Sequence, residues 1–161
     1  MSTKKSSLPI FILLGIIAHG VYTFNQNYSL GFSITPSLPY TVFFVDKKNI
    51  DFVKDDFIVF PYPGENNYTF RTGEKFVKIA SCFPNDNLTT NQNLEYFCNG
   101  VKIGQAYLND SQGKRLAHFK FNGPIPNDKY FVTGTHPKSW DSKYWGFVSK
   151  NTILGKAKGL I

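Results

Sequence analysis

A lysine within an apolar segment is the first residue that could carry out chemistry. Lys78 is the central residue of the segment Phe76–Ala80, which reads FVKIA. On a β-strand, successive side chains point to opposite faces, so this ammonium group would have apolar neighbours on both sides. Burial lowers the pKa of a lysine and allows it to act as a general base near neutral pH. The alternative is a lysine on an edge strand that discourages aggregation.

A serine between two prolines is the second candidate. Ser37 lies in Thr35-Pro36-Ser37-Leu38-Pro39. The two prolines restrict the backbone on either side, so a stiff loop would present the Ser37 hydroxyl as a nucleophile. An ordinary proline-rich linker is the alternative.

A third segment, residues 134–148, reads GTHPKSWDSKYWGFV and places polar side chains between aromatic ones. This density indicates a packed polar network that holds a specific shape. A Ser-His-Asp triad could use His118 or His136, but no G-x-S-x-G motif marks a nucleophile. The three histidines have no metal-ligand spacing and two cysteines cannot supply four thiolates, so neither a metal nor another cofactor is predicted.

An uncharged apolar segment, Leu8–Phe24, precedes all three candidates. As a helix it would span about 25 Å, which lies within the range of membrane-spanning segments. Lys4 and Lys5 precede it and the next charged residue is Asp46, so the positive-inside rule places the N-terminus in the cytoplasm and the rest outside. A signal peptide cleaved near Ala18-His19-Gly20 is the alternative. Either arrangement exports the remainder of the chain.

From residue 40 onward, short runs rich in Phe, Val, Ile and Tyr alternate with turn residues, which predicts a mainly β domain. Asn99-Gly100 predicts a two-residue hairpin. The expected strands are Thr41–Val45, Phe57–Phe60, Lys75–Ala80, Leu94–Cys98, Val101–Tyr107, His118–Phe121, Tyr130–Thr133 and Thr152–Ala157.

The distribution of charge bears on the kind of partner, and the two cysteines bear on whether a disulfide forms. The formal net charge is +7, but the longest basic run is Lys47-Lys48, so nucleic acid is not a predicted partner. Export favours a disulfide between Cys82 and Cys98, because oxidising compartments retain such bonds. Two buried free thiols are the alternative.

The three candidate segments together resemble type I signal peptidases. Residues 134–148 are similar to the family's C-terminal signature, G-D-N-x-x-x-S-x-D-S-R-x-x-G. Phe76-Val77-Lys78 with Pro84-x-Asp86 resembles the segment of the catalytic lysine, and Thr35-Pro36-Ser37 resembles the nucleophile loop. Order and spacing agree from about residue 33 to residue 161. Ser-Leu-Pro after Pro36 and the His-Pro pair of the last segment resemble more closely the conjugative-transfer branch, the TraF-type peptidases that mature pilin subunits.

The resemblance implies a Ser-Lys dyad in which Ser37 is the nucleophile and Lys78 the general base. The supporting residues that it implies are the oxyanion donor Thr35, the lysine-orienting Ser139 and the bracing pair Asp141 and Lys143. The chain departs from the family pattern in two segments. In the last one, Thr135-His136 replaces Asp-Asn, and Lys143 replaces an arginine that could bind a carboxylate with two hydrogen bonds. After the lysine, Ile79 and Ser81-Cys82 replace the commoner Arg and Val-Gly.

The resemblance also implies a fold and a function. The fold is a signal-peptidase-like β domain behind a single transmembrane helix, with residues 1–7 in the cytoplasm, 8–24 in the bacterial inner membrane and 25–161 in the periplasm. The function is that of a serine endopeptidase without a cofactor, which removes leader peptides from exported pre-proteins and matures a conjugative pilin. Its partners would be that pre-pilin or another pre-protein, and the membrane. The alternatives are a general type I signal peptidase and, in another class, an inactive scaffold subunit of a type IV secretion system.

Overall fold

The computed structural model describes residues 8–67 and 69–161. The segment expected in the cytoplasm, residues 1–7, lies outside the described residues. The first element is a helix, α1 (Leu8–Asn27), which covers the apolar segment and extends three residues beyond it. Ten large apolar or aromatic side chains of α1, from Ile10 to Phe24, are exposed. Within the described ranges, no helix combines the length and apolar character needed to cross a bilayer.

The remainder of the described chain is mainly β, which confirms the predicted class. The strands are β1 (Tyr28–Phe32), β2 (Val42–Asp46), β3 (Phe57–Pro61), β4 (Lys75–Cys82), β5 (Asn87–Thr90), β6 (Glu95–Cys98), β7 (Val101–Gln105), β8 (Gly123–Pro124), β9 (Lys129–Thr133), β10 (Val148–Ser149) and β11 (Gly155–Gly159). One short helix, α2 (Ser142–Trp145), lies between β9 and β10, and a 3-10 turn follows at Lys150–Thr152.

The strands form two antiparallel sheets. The larger sheet has the order β1-β2-β11-β3-β4-β9-β10, and the smaller has the order β7-β6-β5-β8. Strand β4, which contains Lys78, therefore has hydrogen-bonded partners on both sides. The alternative that Lys78 belongs to an edge strand is wrong.

Most predicted strands occur within one or two residues of their expected positions, and Asn99 and Gly100 form the hairpin turn with φ of 49° and 80°. The strand expected at His118–Phe121 is wrong, because Phe119 N–H donates to the carbonyl of Lys143 instead of joining a ladder. The last strand begins at Gly155 rather than at Thr152.

The two faces of β4 pack against different apolar clusters. Ile58 and Ala80 belong to the cluster on one face, and Lys78 shares that face because it lies directly opposite Ile58 in the β3–β4 register. On the other face, Val77 packs against a cluster that includes Leu38. Since Leu38 follows Ser37 in the chain, this cluster anchors the loop that carries the candidate nucleophile.

A disulfide joins the two sheets. Cys82, at the end of β4, is bonded to Cys98, at the end of β6. Both residues are buried, and the cluster around them also contains Tyr96 and Phe131. The bond therefore links the strand of Lys78 covalently to the smaller sheet.

Replacing both cysteines by alanine is expected to lower the free energy of unfolding by about 3 kcal/mol, because the bond closes a loop with a sequence separation of 16. Denaturant unfolding under non-reducing conditions measures this change. Wild-type protein unfolded in the presence of a reducing agent is the matched control and should unfold at a similarly reduced denaturant concentration. Equal unfolding midpoints for the variant and the oxidised wild type would contradict this role of the bond.

Candidate active site

Ser37 lies in the loop between β1 and β2, and its side chain is buried. Its Oγ is 3.1 Å from Thr35 Oγ1. Its carbonyl oxygen accepts hydrogen bonds from the backbone N–H groups of Thr135 at 2.9 Å and His136 at 3.3 Å. These bonds hold the serine loop against the segment that follows β9. Because they use main-chain groups, the Thr135-His136 departure from the family pattern leaves this contact intact.

Lys78 is 4% exposed, and its Nζ donates a hydrogen bond of 3.1 Å to Ser139 Oγ. The ring centre of Phe76 lies 5.7 Å from the same Nζ. Burial lowers the pKa of Lys78 to about 8; the charge of Asp141 opposes this shift, and the charge of Lys143 adds to it. A substantial fraction of this amine is therefore neutral at mildly basic pH, and a neutral amine can accept a proton.

Asp141 is fully buried and organises the polar segment. One carboxylate oxygen, Oδ2, accepts hydrogen bonds from Lys143 Nζ at 2.6 Å and from Gly134 N–H at 3.0 Å. The other, Oδ1, accepts from Lys143 N–H and caps α2. A buried carboxylate needs this many partners, because an unpaired charge away from water is costly. The arrangement holds the segment from Gly134 to Lys143 in one shape.

Gly134 lies at the point where the serine loop and the lysine network meet. A Cβ atom at this position would lie 2.2 Å from Ser139 Oγ and 2.5 Å from the carbonyl oxygen of Ser37. Only glycine allows both groups to approach the backbone so closely. The side-chain partner of Lys78 and the main chain of Ser37 therefore contact the same residue.

The structure thus brings together all six residues that the family resemblance implied for the site. Thr35 and Lys78 line one cavity of about 240 Å³, the Lys78 cavity, together with residues 32–34, Phe70 and residues 74–77. Within the described residues, Ser37 Oγ bonds to Thr35 and no hydrogen bond joins it directly to Lys78 Nζ. The two groups are connected through Gly134 and Ser139.

The histidines do not build a triad. His136 Nδ1 accepts a hydrogen bond from Lys138 N–H, and His118 Nε2 lies 2.8 Å from the carbonyl oxygen of Tyr107. Neither ring contacts Ser37 Oγ among the hydrogen bonds of the described residues. The described hydrogen bonds therefore give no support to a histidine triad at Ser37.

Two buried hydroxyl groups near the site were not indicated by the sequence. Ser81 Oγ and Thr133 Oγ1 lie 2.6 Å apart and line a cavity of about 730 Å³ that also contacts Gly134 and Lys143. They come from β4 and β9 and are separated by 52 positions, so no local pattern could have connected them. Ser81 lies at a register shift between Ala80 and Cys82 in the β4–β9 pairing, as in a β-bulge.

Comparisons with known proteins show the family to which the chain belongs. A family model described as "Signal peptidase, peptidase S26" matches residues 3–161, nearly the whole chain. The chain belongs to this family. The resemblance to signal peptidases inferred from the sequence is therefore confirmed, and the family is one of serine endopeptidases.

Individual relatives match over shorter stretches. The "Probable signal peptidase I-2" of Synechocystis sp. is 31% identical over 85 residues, which are 52% of this chain and 37% of that protein. The chain thus matches little more than a third of that relative's length. A crystal structure of a signal peptidase I from Enterococcus faecalis V583 is 25% identical, with a TM-score of 0.44, and the match covers 67% of this chain and 97% of that one.

Replacing Lys143 by methionine is expected to raise the pKa of Lys78 above about 8. The change removes a nearby positive charge and leaves the charge of Asp141 unopposed, and both effects favour the protonated amine. Lys143→Arg retains the charge and should leave the pKa of Lys78 near its wild-type value. An NMR titration of isotope-labelled lysine side chains measures both, with Lys78→Met identifying the resonance. An unchanged pKa in a folded Lys143→Met variant would contradict this coupling.

Gly134→Ala is expected to lower the free energy of unfolding by about 1 to 3 kcal/mol, because the new methyl group would overlap Ser139 and Ser37. Thermal or denaturant unfolding measures the loss. Gly31→Ala is the matched control, because a Cβ at Gly31 would make only ordinary contacts of 3.7 Å or longer. Equal stability of the two variants would show that the segment moves aside freely.

Proposed function

We propose that this chain is a serine endopeptidase that removes leader peptides from exported pre-proteins, with Ser37 as nucleophile and Lys78 as general base. The observation that carries the proposal is the buried Lys78 amine, whose pKa is lowered to about 8 and which borders the same cavity as Thr35, next to Ser37. An active-site lysine needs this combination, because only an unprotonated amine can take the hydroxyl proton.

In the proposed reaction Lys78 acts in turn as base and as acid. Lys78 Nζ takes the proton of Ser37 Oγ as that oxygen bonds to the carbonyl carbon of the scissile peptide. The nitrogen of the leaving segment then receives the proton from Lys78 as the peptide bond breaks, which leaves an ester on Ser37. Lys78 next takes a proton from water, the resulting hydroxide attacks the ester, and the proton returns to Ser37 Oγ. The bond from Lys78 to Ser139 Oγ keeps the amine oriented throughout.

Thr35 and the backbone of Ser37 are the proposed donors to the developing oxyanion. Ser37 N–H has no hydrogen-bond partner within the described residues, and Thr35 Oγ1 lies beside Ser37 Oγ. Ser37 N–H would be free to bind the negative oxygen, and Thr35 would exchange its bond to Ser37 Oγ for one to that oxygen. Removal of one such donor typically lowers the rate by about 100-fold to 1000-fold.

The Lys78 cavity is the proposed binding site for the residues that precede the cut. Its volume of about 240 Å³ and its apolar wall residues, which include Phe32, Phe76 and Val77, suit short apolar side chains. This agrees with the small residues that signal peptidases require at positions one and three before the cleaved bond.

The proposed place of action is the outer face of the bacterial inner membrane. The exposed apolar side chains of α1 need a covering, and a lipid bilayer supplies one. In this arrangement the apolar helix associates with the membrane, and residues 25–161 form the catalytic domain on its periplasmic side. A disulfide between Cys82 and Cys98 is compatible with that compartment.

We further propose that the substrate is a conjugative pre-pilin exported for a type IV secretion system. The support is the Ser-Leu-Pro sequence at residues 37–39 and the His136-Pro137 pair, which resemble the TraF-type branch. A general signal peptidase would act on many pre-proteins, and comparison of cleavage rates for a pre-pilin and an unrelated pre-protein separates the two possibilities.

Ser37→Ala and Lys78→Met are each expected to lower peptide cleavage by about 1000-fold or more, because each removes one half of the dyad. Lys78→Arg should be equally inactive, since an arginine side chain stays protonated. The measurement is cleavage of a fluorogenic peptide with alanine at positions one and three before the scissile bond, and of a co-expressed pre-pilin by mass spectrometry.

Matched controls are Ser29→Ala on β1 and Lys158→Met on β11, which change the same residue types away from the Lys78 cavity. Both should cleave at the wild-type rate. Normal processing by Ser37→Ala would overturn the mechanism. A folded wild-type protein that cleaves neither substrate and is not acylated on Ser37 by a penem inhibitor would support the inactive scaffold instead.

A further inference from the structure

A second cavity adjoins the Lys78 cavity. It has a volume of about 620 Å³ and is lined by Lys138 and Trp140, the residues on both sides of Ser139. Phe70 lines this cavity and also the Lys78 cavity, so the two meet at that side chain. An extended polypeptide advances about 3.3 Å per residue. A chain bound beside Lys78 could therefore reach the second cavity within a few residues.

Positive charge dominates the wall of this second cavity. Its charged residues are three cations, Lys114, Arg115 and Lys138, and one carboxylate, Asp110. None of the three cations forms an ion pair within residues 8–67 and 69–161. The Asp110 carboxylate accepts hydrogen bonds from the backbone N–H groups of Gln112 and Lys114. These bonds stabilise the turn at residues 110–114. An excess of two positive charges therefore faces the cavity, which we name the cationic cavity.

Aromatic side chains supply an apolar wall next to these charges. The rings of Trp140 and Tyr144 are stacked, with centroids 4.6 Å apart and planes at 15°. Trp140 Nε1 donates to the hydroxyl of buried Tyr62 at 3.1 Å, which fixes the indole in place. The rings thus form an apolar wall beside Lys114, Arg115 and Lys138, whose side chains are exposed to solvent. A carboxylate is a suitable ligand because the guanidinium of Arg115 can bind it with two hydrogen bonds.

We propose that the cationic cavity binds an acidic side chain of the substrate, a few residues from the scissile bond. This inference rests on the proposed function, because it treats the ligand as part of the polypeptide bound at Lys78. Continuity with the Lys78 cavity through Phe70 favours a substrate side chain over a separate anion. The cavity would thus add a charge preference to the size preference of the Lys78 cavity.

The first experiment measures kcat/KM for fluorogenic peptides that have alanine at positions one and three before the scissile bond. A single glutamate is moved through four positions on each side and compared with glutamine at the same place. At one position we expect glutamate to be preferred by about fivefold, the size of one carboxylate–cation pair in a partly exposed site. Equal kcat/KM for glutamate and glutamine at every position would overturn the proposal.

Charge variants locate the preference. Arg115→Gln and Lys138→Gln should each reduce the glutamate-to-glutamine ratio toward one, while Arg115→Lys should retain part of it because the charge remains. Lys158→Gln on β11 is the matched control and should leave the ratio unchanged. A ratio that survives both Arg115→Gln and Lys138→Gln would assign the preference to another part of the molecule and contradict the proposal.

A binding measurement separates this proposal from the proposed function. The Ser37→Ala variant, in which no peptide is cleaved, is titrated with fluorescein-labelled glutamate and glutamine peptides that cover the same positions. Tighter binding of a glutamate peptide, lost in Arg115→Gln, would support the cavity's role even if the wild type proved to have no peptidase activity. Equal binding of both peptides would overturn it.

Anionic lipid is tested in the same set of proteins. Binding to phosphatidylglycerol vesicles is compared for the wild type, Arg115→Gln and Lys138→Gln. Unchanged vesicle binding alongside a reduced peptide ratio supports a substrate side chain as the ligand. Reduced vesicle binding with an unchanged peptide ratio would assign these cations to a lipid headgroup and overturn the proposal.

Discussion

The bond from Lys78 Nζ to Ser139 Oγ in the buried centre of the larger sheet is the interaction on which the site depends. An amine in this position loses its hydration, and the cost falls mainly on its charged form. The surrounding structure provides one hydroxyl partner and keeps the nearest carboxylate, Asp141, bonded to Lys143. Among the described residues, Lys78 therefore has no ion pair of its own, and burial lowers its pKa to about 8.

The segment after β9 connects this lysine to the serine loop. The Asp141 carboxylate accepts hydrogen bonds from Gly134 N–H and from both the backbone N–H and the ammonium group of Lys143. These bonds fold the segment back on itself. Gly134 then contacts both Ser139 and Ser37. The family's arginine at position 143 is replaced here by lysine, and a single short hydrogen bond suffices because the carboxylate has further partners in the backbone.

The two cavities beside this network have different proposed roles in substrate recognition. The Lys78 cavity selects by the size of the side chain, and the cationic cavity selects by its charge. Half of the ten residues that line the Lys78 cavity are apolar, whereas Lys114, Arg115 and Lys138 line the cationic cavity. Three of the cations that contribute to the net charge of +7 therefore lie next to the candidate site. The exposed apolar residues of α1 form a surface of a different kind.

The sequence by itself determined the family, the mainly β class, most strands and the six candidate site residues, because strand alternation, turn residues and the spacing of the polar segment are local properties. It could not exclude an edge-strand role for Lys78, and it wrongly predicted a strand at His118–Phe121. Only the tertiary structure decided that β4 lies inside the sheet, that Gly134 touches both halves of the site, and that Arg115 and Lys138 share a cavity. The physical reason is that burial, pKa and charge excess depend on groups far apart in the chain, which only packing brings within a few ångströms of one another.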